Sequence, residues 1–373
     1  MGLVSLRFRD LEFNDYDWHR QEGITPVPEI PRHFENCAFY LYAKTPKGTK
    51  GPIASGVLVS ITSDINAPTY GLDDLIPDYR PVRHVYAVTS AHVLPSGASL
   101  IRMSLFGGTP KTIELEPHEW EFLAGGHDIA AVDITEKFEP KENYVAVDDQ
   151  IFLTEEFIER LLVNIGEDGF MIGLFADEPG RNRNAPLARF GNIAAMPRED
   201  NPIEQGHGTS HPSFLFDMRS RTGFSGSPVF IYRKGDYDMS YFTHGSVRPP
   251  TIKKKNHPFL RLLGVHSGQY PDRLPFHVEK SAIKEGKIEW NKKARLLVPS
   301  SVTIVAPAWE ITKLLKLKKF ADARKARDAK AQEEGPRIIP EVAEAVSESG
   351  NPSHKEDFTS LLNVAARTPP QDD

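Results

Sequence analysis

The stretch RTGFSGSPVF, residues 221–230, places a serine between two glycines directly before an apolar run that is typical of a buried β-strand. Gly223 can adopt backbone angles closed to other residues, so that its N–H and that of Ser225 can point at one spot. Gly226 leaves the space beside the serine hydroxyl free, and Pro228 suits the first residue of a strand. Taken alone, the stretch favours a plain Gly-Ser turn before a strand. A nucleophilic serine needs a histidine and an acid from elsewhere in the chain.

Two other segments supply these partners. VYAVTSAHVL, residues 85–94, places His92 at the exit of an apolar strand. GGHDIAAVDI, residues 125–134, places Asp128 at the mouth of another. Each residue alone is common in structural roles. Together with the serine they form the set that activates a hydroxyl for attack on a carbonyl.

Other nearby residues are weaker candidates for these roles. Asp133 lies five residues after Asp128, so on a regular strand its side chain faces the other way. Ser227 is expected to enter the strand that follows the glycine loop, and His84 precedes its apolar strand instead of following it.

Short apolar segments rich in β-branched and aromatic residues follow one another through most of the chain, separated by Gly, Pro and Asp. This pattern predicts an all-β barrel or sandwich. TEEFIERLL, residues 154–162, predicts a helix between two β halves, and residues 306–334 have the composition of one long helix. Beyond Gly335 the chain is rich in Pro, Ser, Glu and Asp, and we expect it to be disordered.

Composition narrows the class of protein. The 373 residues carry a net charge of −6, which gives no electrostatic reason to expect nucleic acid as a partner. The single cysteine, Cys37, excludes a disulfide framework within the chain. No apolar run reaches the length of a membrane-spanning helix, and residues 1–20 lack the apolar core of a signal peptide. We therefore expect a cytoplasmic protein that uses no cofactor or metal and binds no membrane.

In this order, His92, Asp128 and Ser225 resemble the catalytic triad of the chymotrypsin-like serine proteases, and the resemblance runs through most of residues 36–316. VTSAHV, HDIAAVDI and GFSGSPVF are similar to the histidine, aspartate and serine motifs of the family. LLGVHSG is similar to the strand that lines its primary specificity pocket. The motifs look most like those of bacterial trypsin-like peptidases, a group that includes HtrA-type proteases and glutamyl endopeptidases.

The resemblance implies an all-β fold of two antiparallel β-barrels of the chymotrypsin type, followed by a C-terminal helix and a disordered tail. Residues 1–35 would be an N-terminal extension. The first barrel would span residues 36–148 and the second residues 149–316, and residues 317–373 would form the charged helix and the tail.

The implied function is that of a serine endopeptidase that cleaves protein or peptide substrates through an acyl-enzyme. His92 would be the general base, Asp128 would hold its tautomer, and Ser225 would attack the carbonyl, with the N–H groups of Gly223 and Ser225 as the oxyanion hole. Phe224 stands where trypsin has the aspartate that receives a newly formed N-terminus. Activation by cleavage of the trypsin kind is therefore not expected.

The same resemblance suggests a substrate pocket. His266, in GVHSG, is similar to the histidine with which glutamyl endopeptidases hold an acidic side chain. Arg219 and Ser220, just before the serine loop, and Gly268, beyond His266, complete the predicted substrate-binding set. A cationic or hydrogen-bonding pocket would favour Glu, Asp or Gln before the scissile bond. The alternative is a histidine that serves only its own hydrogen bonds.

A catalytically silent or latent binding module with a protease fold is the competing function. The insertions at residues 233–261 and 271–295 and the C-terminal tail are the segments through which a regulatory protein partner could act, including the basic run Lys253–Lys255 and the capping box from Ser353 to Glu356. His207 and His211 have metal-like spacing, but the sequence shows no third ligand, so no metal site is predicted there.

Overall fold

The computed structural model describes residues 30, 32–45, 48–63, 82–105, 110–139, 142, 144–175, 178–205, 208–220, 223–233, 259–275 and 295–334. This part of the chain contains sixteen β-strands and three α-helices. The predicted regulatory segments within residues 234–258, 276–294 and 335–373 lie outside it, as does His207.

The first half of the fold is an eight-stranded sheet. Its strand order is β5-β4-β1-β2-β3-β7-β6, and β8 pairs in parallel with β2. Neighbours such as β1 with β2 and β3 with β7 are antiparallel. The strands are β1 (Ala38–Thr45), β2 (Gly48–Ser63), β3 (Val82–Thr89), β4 (Ala98–Ser104), β5 (Pro110–Glu114), β6 (Glu121–Phe122), β7 (Ala130–Asp133) and β8 (Val147–Asp148).

The second half is a closed six-stranded barrel with the order β10-β13-β16-β15-β14-β9, and β11 and β12 form a separate two-stranded sheet. Pro228 is the first residue of its strand, as the sequence predicts. The strands are β9 (Asp168–Gly173), β10 (Leu187–Ala195), β11 (Ile203–Glu204), β12 (Ser210–His211), β13 (Phe214–Asp217), β14 (Pro228–Arg233), β15 (Phe259–Pro275) and β16 (Arg295–Pro307).

Strand β3 shows why its sequence is apolar without a break. Successive side chains of a strand point to opposite faces. Tyr86 and Val88 join a core cluster that contains residues of both halves, whereas Val85 and Ala87 pack into the interior of the first half. Because both faces are covered, neither set of alternating positions needs to be polar.

The helices partly follow the prediction. The helix expected at residues 154–162 is confirmed as α1 (Glu155–Leu161), whose N-cap Thr154 accepts a hydrogen bond from the Phe157 N–H. The single long helix expected at residues 306–334 is wrong. The chain forms α2 (Ala308–Leu315) and α3 (Lys318–Glu334), because the N–H of Lys316 closes a tight turn on the carbonyls of the last turn of α2.

The predicted fold class, all-β with two antiparallel halves of the chymotrypsin type and a C-terminal helix, is confirmed by this arrangement. The sheet and the barrel residues described below belong to one compact unit that extends to Ala323. The part of α3 from Arg324 onward belongs to a second unit, in which the Ser63 hydroxyl donates a hydrogen bond to Asp328.

Candidate active site

His92 and Asp128 meet because β3 and β7 are paired. Thr89 at the end of β3 lies opposite Ala130 at the start of β7, so the segments just beyond these ends are neighbours. His92 lies on a short 3-10 helix, Ala91–Ser96, that follows β3. Its backbone N–H donates to Asp128 Oδ1 at 2.8 Å, and its Nδ1 lies 2.5 Å from Asp128 Oδ2.

These contacts define the tautomer of His92. A carboxylate can only accept a hydrogen bond, so Nδ1 carries the ring proton and its N–H donates a hydrogen bond to Asp128. In the neutral ring Nε2 is then free to accept. The Asp128 side chain is fully buried, whereas that of His92 is 31% exposed and open toward a cleft.

Ser225 completes the arrangement from the barrel half. It lies on the loop Gly223–Gly226, between β13 and β14, and its Oγ is 3.0 Å from His92 Nε2. This is the distance over which a hydroxyl donates a proton to a neutral imidazole. The structure therefore brings together the three residues that the sequence motifs single out, although Ser225 is 133 residues from His92 in the chain.

Gly223 and Gly226 both have positive φ angles, 99° and 86°, which L side chains rarely adopt. Hydrogen bonds among the described residues leave the N–H groups of Gly223 and Ser225 without an acceptor. The Gly226 N–H, in contrast, donates to the His266 carbonyl at 2.9 Å, and the Ser227 N–H closes a turn on Phe224. The loop thus presents two unused donors next to the serine hydroxyl.

We expect Gly226→Ala to lower the free energy of unfolding by about 2–4 kcal/mol. A Cβ at this position would lie 2.1 Å from the Ser55 carbonyl oxygen and 2.3 Å from Thr89 Oγ1. Gly125→Ala is the matched control, since Gly125 also has a positive φ, 66°, but nothing lies within 4 Å of its Cβ position. Denaturant unfolding of both variants tests this expectation. Equal losses would show that backbone strain, and not close packing, governs the site.

A cavity of about 360 Å³ lies beside the serine. His266, Ser220 and Gly268 of the predicted substrate-binding set contribute to its wall, but Arg219 is exposed and is not among the described residues that line it. The complete described lining is Ile53, His92, Val93, Ser96, Ser220, Gly223, Ser225, His266, Gly268 and Gln269.

His266 is buried and neutral at pH 7. Burial lowers the pKa of its imidazole to about 3, and the nearby His92 acts in the same direction. Its Nε2 lies 2.9 Å from Ser220 Oγ. With the ring proton on Nε2, the ring donates to Ser220 Oγ and the serine hydroxyl keeps its own proton for an incoming acceptor. With the ring proton on Nδ1, that N–H is buried and has no partner among the described residues. Of the two pockets considered from the sequence, this favours the hydrogen-bonding one over the cationic one.

A second histidine with a lowered pKa, the largely buried His127, precedes the acid. The ring of His127 packs against that of His211, with ring centroids 4.6 Å apart and the ring planes tilted by 32°. Burial, followed by His211 and Lys313, lowers the pKa of His127 to about 3. Its Nε2 lies 3.8 Å from Glu310 Oε1. Within the described residues no group of three or more His, Cys, Asp or Glu side chains is arranged to hold a metal ion.

His127 and His266 together predict the pH dependence of stability. Their folded-state pKa values lie below the ordinary value of about 6.5, so on acidification the unfolded chain takes up protons that the folded chain does not. The contribution of the two neutral imidazoles to the free energy of unfolding is therefore fully present above about pH 6.5, and it is lost as the pH falls toward 3. Each imidazole should remove about 2 kcal/mol between about pH 7.5 and about pH 5. Denaturant unfolding should show a smaller loss in His127→Gln, and an unchanged loss would contradict the assignment.

The weaker candidates lie outside the triad. Asp133 accepts hydrogen bonds from the N–H and hydroxyl of Thr135. Ser227 is buried directly before β14, so it does not enter the strand, and His84 is buried within β3. Phe224 is fully buried in the core of the barrel.

Sequence reasoning missed the polar residues that support the site. Ser55 lies behind the serine loop and contacts it through side chain and backbone. The hydroxyl of Ser267 donates to the amide oxygen of Gln205, whose Nε2 donates to Ser213 at 2.9 Å. No local motif identifies these residues. For Ser55, the signal available in the sequence is a small polar residue within an otherwise apolar strand.

No protein-family model and no curated protein sequence matches this chain. No helix among the described residues is long and apolar enough to span a membrane.

Among solved structures the chain is similar to the HtrA-type protease AlgW with a decapeptide, at 14% identity and a TM-score of 0.36, covering 76% of this chain. The match spans 65% of AlgW, slightly less than two thirds of its length. It is also similar to the active form of the Rv3671c protease from M. tuberculosis, at 14% identity and a TM-score of 0.35, covering 79% of this chain and 92% of that one. The drosophila Grass clip serine protease of the Toll pathway matches at 12% identity and a TM-score of 0.37, covering 81% of this chain and 74% of that one. Superpositions this loose carry no argument about what the chain binds or cleaves.

Proposed function

We propose that the protein is a serine endopeptidase that cleaves peptide bonds through an acyl-enzyme on Ser225. The observation that carries the proposal is the position of His92, with Nδ1 2.5 Å from the buried Asp128 carboxylate and Nε2 3.0 Å from the Ser225 hydroxyl. A structural polar cluster has no need of a hydroxyl held at the accepting nitrogen of an oriented, partly exposed imidazole.

The residues of the site have distinct roles in the proposed reaction. His92 Nε2 accepts the proton of Ser225 as Oγ attacks the substrate carbonyl, and later gives it to the leaving amine. Asp128 orients the ring and stabilises the imidazolium that forms. The N–H groups of Gly223 and Ser225 donate to the developing oxyanion, and their lack of an acceptor among the described residues supports this assignment.

The burial of Phe224 supports an enzyme that needs no zymogen cleavage. The ring of Phe224 fills the barrel core, at the position where a charged residue would have to meet a new N-terminus. We therefore propose an enzyme whose triad is assembled as the chain folds. Regulation by a protein partner would then act on access to the site and not on the triad itself. A cytoplasmic location is a separate proposal that this burial does not bear on.

An active-site-directed fluorophosphonate probe tests the function. The probe should label the purified protein at Ser225, identified by peptide mass spectrometry, and His92→Ala should lose the label because no base remains to activate the hydroxyl. A folded wild-type protein that stays unlabelled would overturn the proposal and favour the alternative of a binding module with a protease fold.

We further propose that the cavity receives the side chain of the residue preceding the scissile bond. This side chain would carry a hydrogen-bond acceptor, with Glu preferred. The argument is the Ser220 hydroxyl in the cavity wall, which keeps a proton for a substrate acceptor when His266 donates to it from Nε2. A buried site built to donate a hydrogen bond discriminates strongly against side chains that cannot accept it, because the donor is then left unpaired.

Profiling with fluorogenic peptides that vary only this residue tests the preference. We expect Glu to lead, with Gln and Asp behind it, and His266→Ala to lower kcat/KM for the Glu peptide by about 10–100-fold while apolar peptides change little. Arg219→Ala is the control, since Arg219 is exposed and outside the described cavity lining. A Glu preference that survives in His266→Ala but disappears in Arg219→Ala would assign recognition to the arginine instead.

A further inference from the structure

Ser55, on β2 of the first half, lies directly behind the serine loop of the barrel half. It is fully buried. Its backbone N–H donates to the Ser225 carbonyl at 2.9 Å, and its hydroxyl lies 2.9 Å from the Gly223 carbonyl oxygen. A single residue thus binds both members of the loop that carry the proposed oxyanion donors.

The hydroxyl of Ser55 has no freedom to turn elsewhere. The Leu174 N–H donates to its oxygen at 2.7 Å, which leaves the hydroxyl proton to be donated to the Gly223 carbonyl. The Ser55 carbonyl is held in turn by the Thr89 hydroxyl at 2.7 Å. Gly226 packs so closely on this carbonyl that no Cβ would fit between them.

These contacts act on the peptide group that separates the two donors. The carbonyl of Gly223 belongs to the peptide unit joining Gly223 to Phe224, which lies between the Gly223 N–H and the Ser225 N–H in the chain. The relative orientation of the two donors depends on the backbone torsions on either side of this unit, Gly223 ψ and Phe224 φ. A change in one of them that the other does not compensate would turn the two N–H groups apart. The bond from Ser55 Oγ opposes such a change, and the positive φ of Gly223 is the backbone state in which it holds the unit.

We propose that Ser55 is a positioning residue for the oxyanion hole, holding the Gly223 peptide so that both N–H groups face the oxyanion. The inference rests on the proposed function, since it concerns the same serine. Ser55 does not contact the reacting atoms. Its effect is preorganisation, because donors that are already aimed need no reorganisation when charge develops.

The rate of fluorophosphonate labelling at Ser225 tests this role. Ser55→Ala should lower the second-order rate constant by about 10–100-fold, because an oxyanion donor that is poorly aimed contributes little. The final labelled fraction should stay complete, since the triad is intact. On a peptide substrate kcat should fall in parallel while KM stays within about twofold, because the hydroxyl of Ser55 does not line the substrate cavity.

Ser60→Ala is the matched control. Ser60 is on the same strand and equally buried, but its hydroxyl has no hydrogen-bond partner among the described residues. It should label at the wild-type rate. A purely structural role of Ser55 would reduce the labelled fraction or the melting temperature without slowing the folded molecules, and that result would overturn the inference.

The outcomes separate the two proposals. A wild-type protein that is not labelled overturns the proposed function and the role of Ser55 with it. A labelled wild type with Ser55→Ala labelled equally fast overturns the role of Ser55 alone. If the alanine variant does not fold, Ser55→Cys decides, since a thiol keeps the shape of the side chain with a somewhat larger atom but donates weakly. Labelling of Ser55→Cys at the wild-type rate would refute the positioning role.

Discussion

Replacing Ser225 by alanine is expected to lower kcat/KM by about 10⁴–10⁶-fold on any peptide the wild-type protein cleaves. The variant lacks the oxygen that would form the acyl-enzyme, while His92, Asp128 and the two unused N–H groups of the loop remain. What turnover is left would come from binding and oxyanion stabilisation alone. A pooled fluorogenic peptide library gives a measurement that does not depend on knowing the substrate.

The fold should survive this change. Ser225 Oγ makes its contact with a partly exposed imidazole, so its removal should alter the free energy of unfolding by less than about 1 kcal/mol. Equal activity in Ser225→Ala and wild type, at equal protein concentration, would show that another group is the nucleophile or that the wild-type signal comes from a contaminant. Loss of activity together with loss of cooperative unfolding would not support the catalytic role.

The second large effect is expected for Asp128→Asn, with kcat lowered by about 10⁴-fold near pH 7. The amide has nearly the shape of the carboxylate, but one of its two positions is a donor. If the amide oxygen keeps the hydrogen bond from the backbone N–H of His92, the NH₂ group takes the place of Oδ2 and faces the ring nitrogen Nδ1. The ring must then carry its proton on Nε2, where it can no longer accept the proton of Ser225.

Asp133→Asn provides the comparison for this variant. Asp133 accepts hydrogen bonds from Thr135 and lies outside the triad. The same chemical change there should leave kcat within about twofold of wild type, because substitutions away from the reacting groups have small effects. Wild-type kcat in Asp128→Asn would show that the carboxylate does not determine the tautomer of His92. Fluorophosphonate labelling should follow the same order as kcat.

The sequence predicts the parts of the site that are encoded by neighbouring residues. His92 follows an apolar strand, Asp128 follows a glycine pair before a strand, and two glycines flank Ser225. The order of these three motifs, which resembles that of the chymotrypsin-like proteases, joins them into one set. The helix at residues 154–162 follows in the same way from local composition and its Thr154 cap. Such features depend on backbone preference and on alternation of apolar residues, and both can be read over a few positions.

Other features depend on contacts between distant segments. The sequence around Ser55 in β2 gives no sign of a role in the site. The role depends on the contact of its hydroxyl with the Gly223 carbonyl, 168 residues away in the chain. The break between α2 and α3 results from the close of the last helical turn, although the composition of residues 306–334 is helical throughout. Arg219 and Ser220 are adjacent in sequence, but only Ser220 faces the cavity among the described residues.

By itself, the amino-acid sequence indicated the β-rich class of the protein. It also singled out the three residues proposed to act in catalysis, because their short motifs, in this order, resemble those of the chymotrypsin-like proteases. Only the tertiary structure decided that His266 is neutral and that Ser55 holds the serine loop. Burial removes the water that would otherwise let an imidazole carry its charge, and it commits a lone hydroxyl to the two backbone groups within its reach. Both effects depend on which segments surround a residue in three dimensions.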